Sequence, residues 1–205
     1  MNQSRDTQFY RFSGQRRGDL RTLCLRPWLA LVVALVAAQL LLAQGPKPTD
    51  YDVKAVYLYN FGRFVEWPAS VTSKGDSFNV CILGQDPFGP ALDARLANET
   101  IAGRSVTAKR ISSPQEALNC QILFLSSAED NRLTKVIEVL DKGAVLTVSD
   151  MPQFAQRGGM IQFVLEGKKV RFEVNLIAAQ RAGLTLSSEL LKVATTVRRN
   201  PPSGD

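Results

Sequence analysis

The chain has 205 residues with 25 Lys+Arg against 19 Asp+Glu, three cysteines and no histidine; with 45% apolar and 21% charged residues, its composition is that of one ordinary globular domain plus a short appendage. Without histidine there is no Ser-His-Asp triad, no Cys-His dyad and no His-ligated zinc or haem, and three cysteines cannot close a four-cysteine zinc site. The net charge of +6 leaves nucleic acid, membrane and targeting open until the charge is located.

Most of it lies at the N-terminus. Six arginines (Arg5, Arg11, Arg16, Arg17, Arg21, Arg26) face only Asp6 and Asp19 before residue 27. Residues 28–43 then form an apolar run broken once, by Gln39, and followed by the polar stretch QGPKPTD. A basic segment, an apolar segment and a small residue at the end, Ala43, are the layout of a secretory signal peptide spanning residues 1–43. The alternative is a retained membrane anchor, although sixteen helical residues rise about 24 Å against a hydrocarbon core of about 30 Å. Either version exports the remainder of the chain. Residues 44–205 keep 19 basic and 17 acidic side chains and no basic stripe, so no nucleic-acid partner is expected.

Residues 44–49 read as a linker, and Thr49 with Asp52 as a capping pair for a helix that Pro68 ends. Strand and helix signals then alternate. Residues 77–84 read as a buried strand, 87–98 as a helix capped by Asp86, 104–111 as an alternating strand and 114–118 as a short helix. Residues 120–126 read as a second buried strand, 131–143 as an amphipathic helix and 144–150 as another strand. Two further strands, 160–167 and 169–175, meet in a hairpin at Gly167-Lys168, and residues 176–195 read as one last helix with Gly183 inside it. Residues 197–205 read as a disordered tail. The fold class is therefore α/β for residues 50–196: a mainly parallel central sheet flanked by helices, with an antiparallel hairpin at one edge.

No constellation supplies catalysis. The serine pairs 126–127 and 187–188 lack an activating base other than lysine or carboxylate, and no metal or cofactor motif is expected. Residues 84–89 space their glycines like a phosphate loop but lack its lysine and hydroxyl, so they read as a strand-to-helix turn. Cys81 and Cys120 sit on two buried strands that a 2-1-3-4 strand order would make neighbours. They either bond there or pack as small hydrophobes. Asn60, Arg63, Phe64, Glu66 and Trp67 mix charge and aromatic rings at the end of the first helix, as core packing or as a protein-binding surface. Arg171 and Glu173 alternate with Val170, Phe172 and Val174, and give either a solvated face or a polar recognition surface.

The segments AVYLYNFGRFVEWP, VCILGQDPFGPAL, CQILFLS, IQFVLEGKKVRFEVN and LIAAQRAGLTLSSELLKVA together resemble the YfiR-type family of periplasmic regulators. The resemblance covers residues 50–195. It implies an exported, dimer-forming, non-enzymatic repressor that binds the periplasmic region of an inner-membrane diguanylate cyclase and so controls cyclic-di-GMP and biofilm formation. It also implies a disulfide between Cys81 and Cys120 that keeps the repressor folded. The family's later cysteine pair has no counterpart after Cys120. On this reading the partner is met by Asn60, Arg63, Phe64, Glu66 and Trp67, with Arg171 and Glu173 second. The alternative is a periplasmic small-molecule sensor, with its ligand in the crevice near residues 84–89 and 126–127.

Overall fold

Thr49 opens the first helix of the domain by a reciprocal cap. Its hydroxyl accepts from the Asp52 amide at 3.2 Å, and the Asp52 carboxylate accepts from the Thr49 amide at 2.7 Å. The computed structural model describes residues 47–72, 77–141 and 143–199, together with 28, 31, 32 and 34, which are helical. The described residues from Pro48 onward form one compact unit. The signal-peptide and anchor readings of residues 1–43, and the tail from residue 200, lie outside the described residues apart from those four positions.

The elements run α1 (Asp50–Phe64), β1 (Val65–Glu66), α2 (Ala69–Thr72), β2 (Ser77–Leu83), α3 (Pro90–Leu96), β3 (Thr100–Ile101) and β4 (Arg104–Ile111). They continue with β5 (Ile122–Leu125), α4 (Leu133–Leu140), β6 (Leu146–Ser149), β7 (Ile161–Glu166), β8 (Lys169–Asn175), α5 (Leu176–Arg181), β9 (Thr185–Leu186), α6 (Ser188–Val193) and β10 (Thr196–Arg198). Eight strands make the main sheet in the order β10-β8-β7-β6-β5-β2-β4-β3, parallel except for the β7/β8 and β3/β4 pairs, and β1 pairs with β9 in a separate antiparallel ladder. The first four long strands thus stand in the expected 2-1-3-4 order.

Helices cover both faces, which is why the central strands read as unbroken apolar runs. On one face Phe78, Val80, Ile82, Ile122 and Phe124 pack with α1, α3, α5 and α6. On the other, Cys81, Leu83, Leu123 and Leu125 pack with α4, Met151 and Phe154. An aromatic stack seats α1: Phe61 lies 5.1 Å from Phe172 and 5.8 Å from Phe163 between ring centroids.

Several predicted boundaries move. The first helix stops at Phe64, because Val65 and Glu66 turn extended to pair with β9. The helix expected over 87–98 begins at Pro90. Asp86 instead caps the turn before it, accepting from the Phe88 and Gly89 amides at 2.8 and 3.2 Å. The last helix is two helices, broken where Gly183 takes φ +75° and the chain extends into β9. Val197 and Arg198, read as tail, belong to β10, which adds a parallel strand outside the hairpin.

Candidate functional site

The two cysteines form a disulfide with a Cα–Cα separation of 6.1 Å across 39 residues of sequence. Cys81 lies mid-strand in β2 opposite Leu123, and Cys120 enters β5 just before it. Hydrogen bonds hold that approach. The Asn79 amide donates to Gln121 Oε1 at 2.7 Å, the Gln121 amide to the Asn79 carbonyl at 3.0 Å, and Asn79 Nδ2 to the Asn119 carbonyl at 3.0 Å. Both sulfurs are buried in the second core.

At the end of α1, Arg63, Phe64 and Glu66 are exposed, Asn60 and Trp67 are half-buried and Val65 is buried. The C-terminal segment pins this stretch. Val65 pairs with Leu186, Glu66 with Thr185, and the Ser187 amide donates to the Phe64 carbonyl at 2.9 Å. Arg63, Glu66 and Trp67 share a cleft of about 540 Å³ with Phe78, Ile101 and Arg104. Asn60 and Phe64 do not line it. Arg171 and Glu173 are not brought to the cleft. They alternate with Val170, Phe172 and Val174, which face the α1 side, and so lie on the opposite face, where Arg171 reaches Glu166 at 4.0 Å.

Residue type alone does not single out Arg104, since a charged residue opening a strand reads as solvated. Its parity is the signal, because it shares the strand face of buried Val106. Only 8% of it is exposed, and its guanidinium lies 5.4 Å from the Phe78 ring.

The crevice at the carboxyl ends of β2 and β5 holds about 230 Å³ among Tyr51, Gln85, Pro87, Phe124, Ser126, Ser127 and Asp150. Two of its polar groups, Tyr51 and Asp150, are tied to each other, and Ser126 Oγ accepts from the Ala128 amide at 3.4 Å. Tyr51 Oη donates to Asp150 at 2.9 Å and Lys54 Nζ to the same oxygen at 2.6 Å. Burial, then the hydrogen bond to Asp150, push the Tyr51 phenol up to about 12. The 84–89 turn is closed by Arg110, which donates to Asp86 at 2.8 Å, Asp93 at 2.7 Å and the Gly89 carbonyl at 2.8 Å. Its Phe88 and Gly89 amides, the ones a phosphate would need, serve Asp86. Among the described residues no group of three or more His, Cys, Asp or Glu side chains is placed to hold a metal ion, and no helix is long and apolar enough to cross a membrane.

A doubly wound α/β domain stapled through its central strands is the class these features define. The chain belongs to the YfiR/HmsC-like family, whose model matches residues 51–195. Among solved structures it is similar to a conserved domain protein from Vibrio cholerae O1 biovar El Tor, with 11% identity and a TM-score of 0.50, covering 73% of this chain and 60% of that one. A weaker likeness, at 14% identity and a TM-score of 0.44, is to the ABC domain in complex with L-Trp from Streptococcus pneumoniae, covering 58% of this chain and 55% of that one. The chain thus spans less than two thirds of either structure, and the first likeness bears on the fold alone.

Proposed function

We propose that this chain is an exported, non-enzymatic regulatory protein of the periplasm that binds an inner-membrane diguanylate cyclase through its periplasmic region and restrains it. Membership of the YfiR/HmsC-like family over nearly the whole domain is the observation that carries the reading. The Cys81–Cys120 bond supports export, because structural disulfides persist in oxidising compartments. The mechanism is linkage: a repressor that binds only the inactive state of its target shifts that target by its differential affinity. The exposed Arg63, Phe64 and Glu66, on a segment held by the β1/β9 ladder, supply the rigid mixed surface that such docking uses, with Asn60 and Trp67 beside them and Arg171 and Glu173 as a second patch. We further assign a homodimer as the working form.

Full-length protein immobilised against the purified periplasmic region of a membrane diguanylate cyclase from the same organism tests this directly. Saturable binding is expected, with charge reversal by Arg63→Glu weakening it about tenfold or more. No binding of the unaltered protein contradicts the reading. Sedimentation of the same preparation decides the dimer.

A further inference from the structure

The cleft at the end of α1 contains two buried donors with nothing to donate to. Arg104 Nη1 and Trp67 Nε1 are both enclosed and find no hydrogen-bond partner among the described residues. Arginine stays protonated in proteins, so the enclosed guanidinium is a charge without an ion-pair partner among the described residues. Its contact with Phe78 offsets only part of the desolvation. Native folds leave few such groups, and each calls for a physical account.

The walls show what would satisfy them. Phe78 is fully buried and 7% of Ile101 is exposed, which gives the cleft an apolar floor. Trp67 and Phe78 meet edge to face with centroids 5.1 Å apart, so the indole is fixed by the same ring that Arg104 covers. Gly62 keeps the α1 backbone against this floor, since a Cβ there would lie 2.5 Å from Ile101 Cδ1 and 3.2 Å from the Phe78 ring. Two arginines, Arg63 and Arg104, and one acid, Glu66, supply the charge. That balance favours one negative charge over two. We propose that the cleft is a binding site for a small monocarboxylate with an apolar body, its two carboxylate oxygens accepting from Arg104 and Trp67 while the body rests on Phe78 and Ile101.

The test is calorimetry of the full-length protein with phenylacetate, its neutral isostere phenylacetamide, and inorganic phosphate at one fixed salt concentration. Phenylacetate is expected to bind about tenfold or more tightly than either of the others, as a charge-assisted pair requires. Arg104→Gln is expected to remove that advantage. Trp67→Phe, which keeps an aromatic ring but removes the N–H donor with part of the indole's bulk, is expected to weaken phenylacetate severalfold with the thermal transition in place, so a folding defect in the arginine variant leaves the site testable. Absence of phenylacetate binding, equal binding of phenylacetamide or phosphate, or unchanged affinity in Trp67→Phe each overturns the proposal.

Discussion

Lys54 Nζ stands 2.6 Å from the Asp150 carboxylate, with only 7% and 15% of the two side chains exposed, and so ties α1 to the end of β6. The Lys54 ammonium also lies 4.1 Å from the Tyr51 ring centroid. Removing one partner of such a pair leaves a buried charge uncompensated, at a cost of about 3–5 kcal/mol. Asp150→Ala is therefore expected to lower the unfolding free energy measured in urea by that amount, whereas Lys54→Met combined with Asp150→Leu recovers most of it. A loss below about 1 kcal/mol in the single variant would show the pair to be solvated.

The same carboxylate governs an alkaline transition. An unfolded tyrosine titrates near 10.0, whereas Tyr51 is pushed up to about 12 by burial first and Asp150 second. Above pH 10 the unfolded chain has released this proton and the folded chain still holds it. The contribution of Tyr51 to stability is thus complete below pH 10 and is lost as pH rises towards 12. Ultraviolet titration is expected to show a late fraction among the four tyrosines, moved to lower pH by Asp150→Asn. A single transition near pH 10 would contradict it.

The disulfide closes 39 residues, which the chain-entropy account values at about 4 kcal/mol. Reductant is expected to lower the Tm of the unaltered protein substantially and to leave that of a Cys81→Ala, Cys120→Ala double variant where it is. Equal Tm with and without reductant in the unaltered protein would remove redox-dependent stability from the account.

Gly183 separates two readings of the last helical stretch by the sign of one substitution. Inside a continuous helix, Gly→Ala stabilises by about 1 kcal/mol. At φ +75° it forces an L side chain into the left-handed region, at a cost of about 1–2 kcal/mol. Gly183→Ala is expected to destabilise, as read from the denaturation midpoint.

What could be read in the residues follows the same physics. Strands β2 and β5 announced themselves because both of their faces are buried, and the hairpin because Gly167 takes φ +62° between two runs of strand-forming residues. The disulfide pairing became visible once those strands stood side by side. Ladders two residues long, such as β1 and β9, carry no periodicity of their own and exist only through tertiary pairing. The helical spacing of residues 176–195 continued across Gly183 because α5, Leu184, Leu186 and α6 all bury apolar side chains in the same core. Arg104 is hidden because its charge argues for solvent while its strand parity puts it with buried Val106. Of the residues named for partner docking, the sequence order alone could not show that Arg171 and Glu173 occupy the face of the sheet opposite α1.

Restraint of a cyclase is tested most directly by measuring cyclic-di-GMP in the native host, with this chain present, deleted and restored. The level is expected to rise on deletion, to return on restoration, and to stay high when the restored copy cannot form the 81–120 bond. A level unchanged by deletion would contradict it.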